Sequence, residues 1–219
     1  VMKEDPANPI LIVPFTRVSG NKATTQSCFC DVHDTEAFKV IEAGSPDFDA
    51  TNDEMKFVYA YKAFVFEYAK QMWLYRRMLS KRPCVFSLPE QVKEYRIQCL
   101  RMEEFEAVKK KFDAEILAGT HNGVSTVVVT IPYKFGFANY AYIAPDYDID
   151  GNRIKSIDNK GKMHRLAITV LPEANHSYIL MSCLDSEEEF YRSLFQSIKT
   201  ANLEKILFYF NLMLPLFSE

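Results

Sequence analysis

A chain of 219 residues, 48% apolar and 25% charged, is long enough to bury a core without disulfide staples. Its net charge of −3 and pI of about 5.9 argue against a domain built mainly to hold nucleic acid, which usually carries a basic face; they leave room for a local basic patch. The five cysteines, Cys28, Cys30, Cys84, Cys99 and Cys183, are an odd number at scattered positions. They do not make a secreted disulfide framework, and reduced thiols in a cytoplasmic protein are the simpler expectation.

Residues 1–33 are punctuated by Pro6, Pro9, Pro14 and Gly20 and read as irregular, with the run Ile10 to Val13 as an edge strand. A first helix is expected after Asp34, which suits an N-cap, and Gly44-Ser45-Pro46 ends it. Thr51-Asn52-Asp53-Glu54 has the form of a capping box. It predicts a second helix to about Lys81 whose apolar residues, from Phe57 to Tyr75, almost encircle it. A helix with so narrow a polar stripe is expected to be the buried spine of the fold. Ser87-Leu88-Pro89-Glu90 opens a third helix with an apolar stripe from Val92 to Ile116, stopped by Gly119. With Pro83 in the short link, the second and third helices form an antiparallel hairpin.

After Gly119 the apolar period changes from 3.6 to 2. Val124–Tyr133, Asn139–Ala144, His164–Leu171 and Ser177–Leu184 read as strands. The Gly-, Asp- and Asn-rich links suggest hairpins and an antiparallel sheet of four or five strands. Ser186-Glu187-Glu188-Glu189 opens another helix as a capping box, and a last apolar helix runs from Asn202 to about Leu214. The expected fold is a single α+β domain. Residues 1–119 form a mainly helical half, 120–185 an antiparallel sheet and 186–219 the C-terminal helices. The first dozen residues, with Lys3, Glu4 and Asp5, do not follow a signal-peptide pattern. The run Ile206–Phe217 is broken by Asn211 and Pro215 and is shorter than the roughly 20 apolar residues a membrane span needs. No membrane association is expected.

Cys28-Phe29-Cys30-Asp31-Val32-His33-Asp34 concentrates thiol, imidazole and carboxylate groups. Thiolate and imidazole are preferred zinc ligands, but a C-x-C spacing in extended chain points the thiols to opposite sides. A Cys30–His33 nucleophile pair needs an oxyanion site as well. The blander alternative buries Cys30, uses Asp34 as a cap and bonds His33 to a neighbour. Asp146, Asp148, Asp150 and Gly151 match the first half of a calcium loop. Ile157 stands where the loop's bidentate Glu belongs, and an acidic turn on Asp150-Gly151 is the alternative. His164 and His176 flank strands and would lie at neighbouring strand ends in a hairpin, where they could act on a metal or a proton.

The residues from Asn21 to Asp34, with Phe38, Ile41-Glu42, Phe57 and Ala60-Tyr61-Lys62-Ala63, resemble a family of uncharacterised bacterial proteins. Its pattern is K-A-S/T-T, then G-F-C-x-x-H-D, then F-x-x-I-E, then F/L-x-x-A-Y-R-A. Some members are fused to a small zinc motif like the one that ends the SecA protein. The likeness covers roughly the first 80 residues. It implies that Cys30, His33 and Asp34 belong together, structurally or around a metal, and it sets Cys28, where the family has Gly, apart. Lys62 stands where the family has Arg. The family implies no activity. Longer relatives carry a Cys- and His-bearing segment reminiscent of an HNH-type nuclease finger. Two functions follow as expectations: a cytoplasmic bacterial binding or interaction module without a cofactor, with a protein as the conceivable partner, or a metal-dependent, nuclease-like hydrolase linked to phage defence or mobile elements, using zinc or another divalent ion at His33 and Asp34.

Overall fold

A computed structural model describes residues 3–5, 8–12, 31–42, 47–80, 89–154, 157 and 161–213. Two short strands, β1 (Lys3–Asp5) and β2 (Asn8–Ile12), pair antiparallel near the start. Helices α1 (Asp31–Phe38), α2 (Asp53–Ser80) and α3 (Pro89–Ala118) follow. Then come strands β3 (Val124–Ile131), β4 (Asn139–Ile143), β5 (Leu166–Pro172) and β6 (Ser177–Leu184). A 3₁₀ turn at Asp185–Glu187 leads into α4 (Glu188–Thr200), and α5 (Leu203–Met213) is the last described element. The fold is α+β with a four-stranded antiparallel sheet, as the change of period predicts.

Local chemistry sets most boundaries, with three corrections. α2 is capped by Asn52, whose Oδ1 accepts the Met55 amide at 3.1 Å, while the Thr51 hydroxyl donates backwards to Asp49 Oδ1 at 2.7 Å. The cap therefore sits one residue later than the capping-box reading places it. Asp34 lies inside α1 and does not cap it, since the helix already begins at Asp31. The Ser186 capping box does not form: α4 has no side-chain cap, and Ser186 Oγ instead accepts from Lys111 Nζ at 2.8 Å. Gly119 stops α3 as expected. At φ +64° it closes a Schellman motif in which Thr120 N donates to Glu115 O at 3.0 Å and Gly119 N to Ile116 O at 3.1 Å. The positions of Gly44, Ser87 and the Pro83 link lie outside the described residues.

The sheet order is β3-β6-β5-β4. β5 and β6 form the expected hairpin, but β3 and β4, consecutive in sequence, occupy opposite edges. The link between them crosses the end of the β5–β6 pair. Ser177, fully buried, fastens it by accepting from Phe135 N at 2.7 Å and donating to Tyr133 O at 3.0 Å. A seven-residue link is long enough for this crossing, so short links alone do not imply hairpins.

Both sheet faces are covered. Val127, Ile131, Leu166, Ile168, Ile179 and Met181 face α4 and α5 through Tyr191, Leu194, Phe195 and Tyr209. Ala167, Leu184 and Tyr142 face α2 and α3, where Phe57, Tyr61, Phe64, Phe105 and Phe112 interlock. Leu171 and Leu180 pack on Phe48, Met55 and Tyr59. This sandwiching explains why β5 and β6 are buried almost continuously instead of alternating. The spine expectation for α2 holds only for its first half, where burial runs from Met55 to Val65. Beyond that the helix outruns the sheet, and Trp73 is 58% exposed with the Arg77 guanidinium 5.2 Å from its ring centre. Among the described residues no helix is long and apolar enough to cross a membrane.

Candidate functional site

Among the described residues, the sequence candidates are not gathered into one place. Cys28 and Cys30 lie outside the described residues, and His33 is described in its backbone alone, on the helix it shares with the half-buried Asp34. Asp146, Asp148 and Asp150 fall in a turn between β4 and β5. Asp148 Oδ1 accepts the amides of Asp150 at 2.9 Å and Asn152 at 2.8 Å, and its Oδ2 accepts Asn152 Nδ2 at 3.1 Å. Asp150 is ion-paired with Lys205 from α5, and Gly151 takes φ +79°. The Asp148 carboxylate fastens a turn, the alternative raised for the stretch, and Asp146 contributes its backbone carbonyl, which accepts the Ile154 amide at 2.8 Å. His164 and His176 do not share a strand end, contrary to the hairpin expectation. The β5–β6 pairing brackets them, with His164 before β5 and His176 in the turn after Pro172, so they sit at opposite ends. His176 packs edge-on against Tyr178, and His164 stacks on Phe190 with ring centres 4.2 Å apart. Among the described residues no three His, Cys, Asp or Glu side chains are placed to hold a metal ion.

What the fold does assemble is a cleft of about 410 Å³ where the outrunning half of α2 and the middle of α3 meet the end of β4 and the residues leading into β5. That volume falls within the usual range of small-molecule sites. Glu67, Lys70, Gln71 and Leu74 come from α2; Arg101 and Phe105 from α3; Tyr142, Ile143 and Ala144 from β4 and its end; and Met163 and Arg165 from the approach to β5. The spacing of three and four on each helix puts these side chains on one face.

The polar wall is tied together. Gln71 and Gln98 are buried, and Gln98 Nε2 donates to Gln71 Oε1 at 3.1 Å and Gln71 O at 3.2 Å. Gln71 Nε2 donates to Glu67 Oε1 at 2.5 Å. Arg101 Nη1 donates to Gln71 Oε1 at 3.3 Å and to Gln98 Oε1 at 3.4 Å. On the floor, Arg165 is only 7% exposed. Its Nη1 donates to Glu104 Oε2 at 3.0 Å, and its guanidinium lies 4.9 Å from the Phe105 ring centre. Glu104 Oε1 accepts the Met163 amide at 3.1 Å, so one carboxylate holds both the arginine and the chain that carries it.

Behind the floor lies a second polar group. Glu187, in the 3₁₀ turn, is 2% exposed. Its Oε1 is bonded by Lys162 Nζ and lies 3.5 Å from His164 Nδ1, while its Oε2 has no hydrogen bond. Burial first, then the Glu187 charge, raises the Tyr142 and Tyr191 phenols above their ordinary range. The same causes push the Cys183 thiol up to about 12. The thiolate is the reactive form, so Cys183 is expected to resist iodoacetamide at pH 8 while the half-exposed Cys99 reacts. Peptide mass spectrometry before and after denaturation checks this. Labelling of Cys183 as fast as Cys99 in the native protein would show that this part of the core opens freely.

Gln71, Arg101, Arg165 and Glu187 escape a reading from sequence. The available signal was a charged or amide residue set into an apolar stripe, and such residues are common on solvated faces. No protein-family model, no curated protein and no solved structure matches the chain.

Proposed function

We propose that the protein is a bacterial cytoplasmic binding module and that the cleft between α2, α3 and β4 is its ligand site. The observation that carries this is the pre-formed wall. Gln71, Gln98 and Arg101 hold one another in place from two helices, and Arg165 is fixed to Glu104 beneath them. Groups locked before a ligand arrives lose little conformational freedom on binding, which favours affinity. The thiols of Cys99 and Cys183, both free, support a reducing compartment.

The test is a thermal-shift screen against a metabolite library, repeated with Leu74→Trp, which narrows the cleft from the half-buried face of α2. The expected result is a compound that raises the Tm of the parent protein and loses most of that effect in the variant. Stabilising compounds that act equally on both proteins would place binding elsewhere and overturn the assignment. Divalent-metal-dependent cleavage of plasmid or RNA, lost in His33→Ala, would favour the hydrolase alternative.

A further inference from the structure

We infer that the cleft takes a small organic anion, a carboxylate or phosphate monoester on an apolar body, with its charged end held by Arg101 and Lys70; the inference rests on the cleft being a binding site. Three cations line it, Lys70, Arg101 and Arg165, against one carboxylate, Glu67. They differ in how far their charge is already met. Arg165 is neutralised by Glu104 at 3.0 Å, and Lys70 stands 3.9 Å from Glu67 Oε2, at the outer limit of an ion pair. Arg101 is oriented by two amide oxygens, which fix its plane without cancelling its charge. Among the described residues no carboxylate pairs with it, and its Nη2 and Nε make no hydrogen bond to them. A guanidinium held by neutral acceptors, with a fork of donors left over, suits the bidentate recognition of a carboxylate or phosphate.

The rest of the lining decides the body of the ligand. Leu74, Ile143 and Met163 present apolar surface beside the cations, backed by the buried Phe105 ring, which Tyr142 holds edge-on at 5.8 Å. A bare inorganic anion would leave that surface wet, whereas an aryl or alkyl body would cover it. Both helices supply charge to the same face, so the anion would also tie α2 to α3 beyond the point where the sheet supports them.

Isothermal titration at low salt tests this with phenyl phosphate and 3-phenylpropanoate, each set against a neutral counterpart, phenol and 3-phenylpropanamide. At least one anion is expected to bind tenfold or more tightly than its counterpart and to weaken as salt rises. Arg101→Gln should abolish most of that preference, and Arg101→Lys should restore part of it, with circular dichroism showing both variants folded. If a neutral compound binds as tightly as its anion, and Leu74→Trp weakens both alike, the ligand class is wrong while the binding module stands. If neither anion binds here while a library compound binds elsewhere, both conclusions fall.

Discussion

Phe64→Ala is expected to lower stability by about 3–5 kcal/mol, the range for emptying a fully buried aromatic site. Phe64 is fully buried and stands where the two helices meet the sheet. Its ring centre lies 5.2 Å from that of Phe112, 5.8 Å from Phe105 and 5.4 Å from Tyr142. Three elements therefore lose contacts at once, and helices and strands that meet there have little freedom to collapse into the void. For a chain of this length a loss of that size lowers the Tm by roughly 10 °C or more. Thermal melts and urea titrations followed by circular dichroism measure it. Phe64→Leu, which keeps much of the volume, should lose well under half as much. A loss below about 1 kcal/mol for the alanine variant would be incompatible with Phe64 at the centre of the α2–α3–sheet junction.

Lys162→Met is expected to destabilise more than Glu187→Gln, although the two residues form one ion pair. Removing the lysine leaves a carboxylate that is 2% exposed without its main cation, and an unpaired buried charge is the costly outcome. Removing the carboxylate's charge leaves an ammonium on a side chain 41% exposed, which can turn to water. Breaking a fully buried pair costs about 3–5 kcal/mol; screening of the partly exposed lysine reduces the expected loss for Lys162→Met to about 2 kcal/mol. Glu187→Gln should cost less than about 1 kcal/mol, since an amide oxygen still accepts from Lys162. Equal losses for the two variants in urea titrations followed by circular dichroism would mean that the buried carboxylate does not depend on Lys162.

These two predictions draw on different depths of information. The burial of Phe64 is legible in the apolar encirclement of residues 57–75. Where that burial stops is not, because the sequence of α2 contains no mark for the edge of a sheet it has yet to meet. Trp73 and Phe64 belong to the same helical pattern, yet one is exposed and the other enclosed. The cap at Asn52 is legible in the sequence to within a residue and the stop at Gly119 to the residue, since both depend on atoms a few positions apart. The capping reading fails at Ser186, whose hydroxyl is taken by Lys111, 75 positions away. The histidines were misplaced for a related reason: their positions depend on which ends of a paired hairpin they flank, and the pairing register brings residues around 167 next to those around 182.

Periodicity and short-range chemistry carry the helical hairpin, an antiparallel sheet of four or five strands and the α+β class, and they leave the Asp146–Gly151 stretch as a calcium loop or an acidic turn. Each follows from side-chain spacing or backbone preference within one segment. Tertiary structure alone decided the strand order, the far end of the buried spine, and the two polar assemblies. Arg165 meets Glu104 across 61 positions and Gln98 meets Gln71 across 27. A charged residue in an apolar stripe looks the same in sequence whether it ends in water or in a cleft. Only the packing of α2 and α3 against the sheet removes Arg101, Arg165 and Glu187 from the solvated majority and makes their charges matter.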